Sequence, residues 1–371
     1  MTDPRHDHYL LTPGPLTVPP SVKEQMLRDR SPNSPEFLQL TTGICDYLLD
    51  IANGTETHVC VPLQGSATYT NEAVMQTLVP RSGKILVIQN GYYGQRLVEL
   101  ATGIGLNTVT LDLPMVPLLT REDVEAALAR DPDVTHIMLC HAETGTGVLN
   151  PIEIVAEVAR EQGKELIVDA VASFAGFPID VAALDLAALV ISPNKCLESV
   201  PGIGIAMVRR TALEAAQGNC PSVVLDLHGQ WTHMTDTGGG WRWTPPTHVL
   251  GALGEGVKRH KAEGGIAPRQ ARYLENWRLL VDGLRQRGFT TLLPDDVAAP
   301  IIVTVHDPDH PAYSFPAFHA ALEKQGFTIF PGRLTAAGTF RIGIMGDIVA
   351  SDIFLILEAI DTALAEIGVT S

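Results

Sequence analysis

No CxxC pair occurs in this chain, and its five cysteines, Cys45, Cys60, Cys140, Cys196 and Cys220, are scattered and odd in number. That pattern argues against a disulfide framework and against a zinc site, and it fits a reducing cytoplasm. Basic residues are also short, since 26 Lys and Arg stand against 42 Asp and Glu for a formal net charge of −16. Such a surface repels nucleic acid and anionic membranes, so an anionic ligand has to be held by local groups. No apolar run approaches the roughly 18 residues of a membrane span. The polar start from Met1 to His8 has no apolar signal core, so a soluble, unexported, cytoplasmic protein is expected. Low-complexity tracts and internal repeats are missing too. With 45% hydrophobic and 18% charged residues over 371 positions, the composition suits one large domain plus a smaller one.

From about residue 57, short β-branched runs alternate with longer helical patterns, as in βαβ units around a mostly parallel sheet. The strands are expected at His58 to Leu63, Lys84 to Gln89, Thr108 to Leu111, His136 to His141, Leu166 to Asp169, Leu186 to Ile191 and Ile203 to Val208. Helices are expected at Tyr69 to Val79, Tyr92 to Thr102, Arg121 to Ala129 and Ile152 to Gln162, the last opened by Asn150-Pro151 as cap and first-turn proline. Past Pro245-Pro246, a long helical pattern from Ala267 to Arg287 leads to a second alternation. There Ile301 to Val305 and Phe340 to Ile344 read as strands, and Phe315 to Gln325 and Ser351 to Ala365 as helices. The expected fold is α/β: an N-terminal arm (1–20), a large domain with a seven-stranded sheet (21–265) and a smaller C-terminal α/β domain (266–371) to which the N-terminal segment can contribute. The proline-rich start, Leu10 to Leu16, is expected to cross the surface as an extended arm.

Asp169 ends the apolar strand Leu166-Ile167-Val168-Asp169, and Lys195 follows the next strand in Ile191-Ser192-Pro193-Asn194-Lys195-Cys196. A lysine and a strand-end carboxylate so arranged are what a pyridoxal phosphate site needs. The lysine can form a Schiff base with the cofactor aldehyde, and the carboxylate can keep the pyridine nitrogen protonated. Each has a plainer reading, a solvated loop lysine and a helix-cap aspartate, which their pairing disfavours. Gln64-Gly65-Ser66-Ala67-Thr68 follows a strand and opens a helix, either as a phosphate cradle or as a serine/threonine cap. Tyr93, in Asn90-Gly91-Tyr92-Tyr93-Gly94, can lie flat over a cofactor ring or be an ordinary loop tyrosine. Thr144, in the stretch from His141 to Gly147, offers a hydroxyl to the cofactor's phenolic oxygen, while His141 and Glu143 read as structural hydrogen-bonding partners. Arg341 stands inside the apolar strand Phe340-Arg341-Ile342, where a guanidinium offers bidentate recognition of a carboxylate or phosphonate. Its plainer reading is an edge arginine paired with an acid.

These motifs resemble the class V group of fold-type I pyridoxal phosphate aminotransferases. The likeness also takes in Leu11-Thr12-Pro13-Gly14-Pro15-Leu16, Val200-Pro201-Gly202, Leu225-Asp226-Leu227, Gln230-Trp231, Trp241-Arg242-Trp243-Thr244 and Phe340-Arg341-Ile342-Gly343. The segment from Asp226 to Trp231 and that around Trp241 favour the branch acting on aminophosphonates. The resemblance implies a transamination in which 2-aminoethylphosphonate gives its amino group to pyruvate, yielding phosphonoacetaldehyde and L-alanine. It implies that Lys195 and Asp169 are catalytic, and that Gly65, Ser66, Ala67, Thr68, Tyr93 and Thr144 bind the cofactor. Thr244 would join them across a homodimer interface, with Arg341 and Gly14 on the substrate side and no metal. Alanine:glyoxylate or serine:pyruvate transamination, a cysteine desulfurase and a non-catalytic relative stay open. The segment from Arg28 to Phe37 departs from the aminophosphonate branch.

Overall fold

A computed structural model of the chain describes residues 5–332 and 338–369. Seven strands form the large sheet: β1 (His58–Gly65), β2 (Lys84–Gln89), β3 (Asn107–Asp112), β4 (His136–Cys140), β5 (Glu165–Asp169), β6 (Leu186–Ile191) and β7 (Gly202–Arg209). Their spatial order is β1-β7-β6-β5-β4-β2-β3, and only β7 runs antiparallel to its neighbours. The sheet is mixed but mostly parallel, as expected. Successive residues in a strand point to opposite faces, so Ile85 and Val87 enter one apolar core while Leu86 and Ile88 enter the other. All six residues of β6 are buried, the pattern of a strand covered on both sides.

The longer helices are α1 (Pro35–Ile51), α2 (Ala67–Leu78), α3 (Tyr92–Gly103), α4 (Arg121–Arg130), α5 (Ile152–Glu161), α6 (Leu227–Thr237), α7 (Thr247–Glu263), α8 (Ile266–Gln286), α9 (Phe315–Glu323) and α10 (Ala350–Glu366). Side chains of α2 and α3 pack on one face of the sheet, and those of α1, α4 and α5 on the other. Each fully buried Leu, Ile or Val contributes about 1.5–3 kcal/mol. Among the described residues, no helix is long and apolar enough to cross a membrane.

Three shorter strands, β8 (Ile302–His306), β9 (Phe330–Pro331) and β10 (Thr339–Gly343), form an antiparallel sheet in the order β8-β10-β9. It shares a separate core with α8 and α10 that includes Trp277, Leu284, Phe340, Ile342 and Ile356.

Two local expectations fail. Tyr9–Leu10 is not a surface arm: it pairs with Phe327–Thr328, and Tyr9, Leu11, Leu16 and Val18 are buried. The prolines leave the extended backbone able to pair, and the apolar side chains between them drive it inward. Asn150 does not cap α5, because Pro151 holds that position and the Asn150 amide donates to the Cys140 carbonyl at 2.8 Å instead.

Because β7 opposes its neighbours in register, with Gly202 beside Gly65, it starts at the sheet edge where β1 and the other parallel strands end. The loops after β1, β2, β4, β5 and β6 therefore gather at one edge, where ligands of such sheets bind.

Candidate active site

One cavity opens at that edge, lined by Ala67 and Thr68 after β1, Tyr93 after β2, Thr144 after β4, Asp169 and Ala172 at the end of β5, and Lys195 after β6. Lys195 is 8% exposed and Asp169 6% exposed. Two charges so deeply placed lose most of their hydration. Desolvation lowers the Lys195 amine to about 8, with Cys196 and Asp169 pulling it back up and Arg341 and Arg96 adding to the fall. Burial likewise raises the Asp169 carboxyl, against the hydrogen bonds that favour its charged form. Those bonds come from Val171 N–H at 3.0 Å and the Asn71 amide at 2.6 Å. The Lys195 amine donates to the Pro13 carbonyl, brought there by the buried N-terminal segment. Gly14 lies against the same amine, since a Cβ there would stand 2.4 Å from Nζ.

Gly65 and Ser66 lie just before the lining residues. Ser66 occupies the N-cap of α2, yet its side chain makes no capping hydrogen bond. The simple cap is therefore not what this structure holds, and the first turn of α2 presents its N–H groups to the cavity end. Arg341 lies outside the lining set, fully buried on β10, and donates to the Thr144 carbonyl at 2.7 Å and to the Pro331 carbonyl at 2.9 and 3.1 Å. Thr244 is not brought to this cavity by its own chain. It lines a neighbouring hollow with Gln64, Tyr69, Val224, Trp241 and Trp243.

Three residues that the sequence reading left out of the site belong to it. Asn71 and Arg96 line the cavity, and Glu143 is buried beside it. Asn71 lies four residues after Ala67 on α2, and Arg96 three after Tyr93 on α3, spacings that place each pair on one helix face. The Arg96 guanidinium sits over the Tyr93 ring at 4.8 Å and the Tyr92 ring at 5.1 Å, and within 3.4 Å of Thr68 Oγ1. His141 is buried with Nδ1 unpartnered among the described residues and its pKa lowered to about 4 by desolvation, so it stays neutral. The Cys196 thiol is buried against the Ala172 carbonyl, and desolvation pushes its pKa up to about 12, opposite to what a sulfur nucleophile requires.

A buried lysine, a carboxylate that accepts from two donors and a helix N-terminus, all at one cavity, fit an aldehyde, a pyridine nitrogen and a phosphate respectively. Pyridoxal phosphate carries all three. The profile of the family described as Aminotransferase class-V matches residues 48–350. The 2-aminoethylphosphonate–pyruvate transaminase 1 of Burkholderia lata is 45% identical over 363 residues, covering 98% of both chains. The 2-aminoethylphosphonate–pyruvate transaminase of Burkholderia ambifaria is 46% identical over 363 residues, covering 98% of this chain and 97% of its own. Among solved structures, the alanine–glyoxylate aminotransferase of Nostoc sp. superposes with a TM-score of 0.88 at 26% identity, covering 98% of this chain and 97% of its own. The chain belongs to the class-V aminotransferases.

Proposed function

We propose that this chain moves the amino group of 2-aminoethylphosphonate to pyruvate, releasing phosphonoacetaldehyde and L-alanine, with pyridoxal phosphate as cofactor. The observation that carries the reading is the buried Lys195–Asp169 pair at one cavity with the open first turn of α2. The relatives named for this activity extend over nearly the whole chain. When bound, the cofactor supplies an aldehyde carbon that takes up the amino group and a ring that withdraws electrons from it.

The chain's own residues do the rest. Lys195, with its pKa lowered to about 8 by desolvation, is divided between protonated and neutral forms near neutral pH, so Nζ can take a proton from the donor's amine-bearing carbon and return it. The Pro13 carbonyl holds that amine when it is not otherwise engaged. Hydrogen bonds from Asn71 and the Val171 N–H favour the charged form of Asp169, the form that pairs with a protonated ring nitrogen. Ser66, Ala67 and Thr68 receive the phosphate at the start of α2, and Arg96 is the cation beside Thr68 that balances it. Tyr93 supplies the flat ring face and Thr144 a hydroxyl. Arg341, together with the backbone at Gly14, takes the phosphonate of the donor and the carboxylate of the acceptor.

The reading includes a cytoplasmic homodimer in which Thr244 completes the phosphate site of the partner. Tyr69, Val223, Val224 and Trp243 are exposed near Thr244, an apolar surface suited to a second copy. Light scattering should give twice the chain mass.

The deciding test offers 2-aminoethylphosphonate, alanine, serine and aspartate one at a time without acceptor, and follows the visible band of the loaded enzyme. The phosphonate should bleach it fastest. Bleaching by alanine or serine but not by the phosphonate would overturn the donor assignment.

A further inference from the structure

Tyr93 and Thr144 come from different loops, and one side chain joins their mountings. Helix α3 starts after Gly91, which has no side chain to cap it. The donors that a cap satisfies, on the second and third helical residues, are the N–H groups of Tyr93 and Gly94. Both donate to Glu143 Oε2, at 2.8 and 3.0 Å. The other oxygen, Oε1, accepts from the Gly145 N–H at 2.8 Å. Glu143 is 0% exposed and, among the described residues, has no ion-pair partner; burial raises its carboxyl, and these three N–H groups, at the positive end of α3 and in its own loop, oppose that rise by favouring the charged form.

The backbone around it is shaped to admit it. A Cβ at Gly91 would lie 2.5 Å from Glu143 Cγ, and one at Gly145 would lie 2.7 Å from Oε1. The glycine that leaves α3 uncapped is thus the glycine that lets a cap enter from elsewhere. Beyond Gly145 the connection continues, because the Thr144 carbonyl accepts from Arg341 and the Thr146 carbonyl accepts from Thr304 Oγ1 at 2.8 Å.

We propose that Glu143 is a positioning residue of this site. It caps α3 from the neighbouring loop and thereby fixes the Tyr93 ring and the Thr144 turn relative to each other across the cavity. The carboxylate is chemically required, since all three contacts are donors and an amide would turn its own N–H groups against at least one of them. What Tyr93 faces rests on the cofactor reading given above; the link itself does not.

Three variants test it: Glu143→Gln, Glu143→Asp, and Glu143→Ala combined with Gly91→Ser, which restores a cap within α3 but not the link to Gly145. Hydrogen exchange on the apoprotein reads the link directly. Protection at Tyr93, Gly94 and Gly145 should fall together in Glu143→Gln. Titration with pyridoxal phosphate should show affinity weakened about tenfold or more, with loss of visible circular dichroism from the bound cofactor. Glu143→Asp keeps the charge and should recover part of both. The double variant should regain the thermal midpoint without regaining affinity or dichroism. If it regains all three, Glu143 is merely a cap and the proposal fails. It fails equally if Glu143→Gln keeps affinity and dichroism, or if neither Glu143→Gln nor the double variant folds. Absence of binding by the unsubstituted chain would instead strike the cofactor reading, leaving the exchange result to judge Glu143.

Discussion

Two sets of buried and half-buried charges meet at Lys195 and its neighbour, and they are arranged on opposite terms. In the first, Glu198 accepts from Arg272 at 2.6 Å and from the Tyr273 hydroxyl at 2.7 Å, while Glu263 accepts from Arg269 at 2.6 Å and from Arg272 at 2.9 Å. Two acids and two arginines cancel. Arg269 also donates to the Cys196 carbonyl, so this closed network braces the loop that carries Lys195. In the cavity, Lys195, Arg96 and Asp169 form no ion pair with one another among the described residues, and each is held by neutral groups: a carbonyl, a hydroxyl and aromatic rings, and two N–H donors. The cavity thus holds two cations, Lys195 and Arg96, that make no ion pair among the described residues, inside a chain of net charge −16. A closed network spends its charges on the fold, whereas an open one keeps them for an anionic ligand.

The strongest way to break this contrast is Lys195→Ala. It should lower turnover of 2-aminoethylphosphonate with pyruvate by roughly 10⁴-fold or more, measured as alanine formed, while the folded chain persists. A rate within tenfold of the unsubstituted enzyme would remove the cavity's claim to chemistry. Arg269→Ala should do the reverse. By leaving the buried Glu198 and the half-buried Glu263 undercompensated, it should cost about 3 kcal/mol of stability, read from denaturant unfolding of the apoprotein. A loss under about 1 kcal/mol would mean that the network is no more closed than a surface pair.

The next effect separates the two sets by pH. Lys195 titrates at about 8 in the folded chain against 10.5 as the ordinary value. Between those values the unfolded chain still holds a proton that the folded chain has released, so stability rises with pH across this window and is lost as pH falls through about 8. The contribution is about 3 kcal/mol. Subtracting the apoprotein unfolding curve of Lys195→Met from that of the unsubstituted chain at pH 7.5, 9 and 10.5 isolates it. Parallel curves would show that the amine is not desolvated.

Much of this was legible beforehand, for reasons that differ by residue. Strands β2 and β6 fall where the sequence puts them because each is an apolar run bounded by polar residues. Asp169 and Lys195 stand out because a polar group ending a buried strand needs an explanation. Helix α1 was hidden by Ser31-Pro32-Asn33-Ser34-Pro35, which reads as loop until Ser34 is seen to accept from Phe37 N–H at 3.3 Å and Pro35 to occupy the first turn. Helix α7 was hidden by Gly251, Gly254 and Gly256, poor helix formers individually. Each permits close packing, and a Cβ at Gly256 would lie 2.9 Å from the Leu197 carbonyl. Glu143 could be read as a hydrogen-bonding partner, but not as one joining two loops, because two of its three donors, the Tyr93 and Gly94 N–H groups, come from a loop that only the sheet edge brings beside its own.

The smallest effect tests the most delicate part of the contrast. Asn71 is buried, donates to Asp169 Oδ2 at 2.6 Å, and among the described residues leaves its own Oδ1 unpartnered. Unlike the arginines around Glu198, it supports a charge without cancelling it. Asn71→Ala removes one of two donors, so burial pushes the Asp169 carboxyl further up and weakens its hold on a protonated ring nitrogen. Affinity for pyridoxal phosphate should fall about tenfold, or about 1.4 kcal/mol, with the apoprotein's unfolding midpoint nearly unchanged. Asn71→Asp should be worse, since it sets a second carboxylate against the first. If Asn71→Ala binds the cofactor as tightly as before, Asp169 is as fully satisfied by its own chain as Glu198 is, and the cavity's charges are not held open after all.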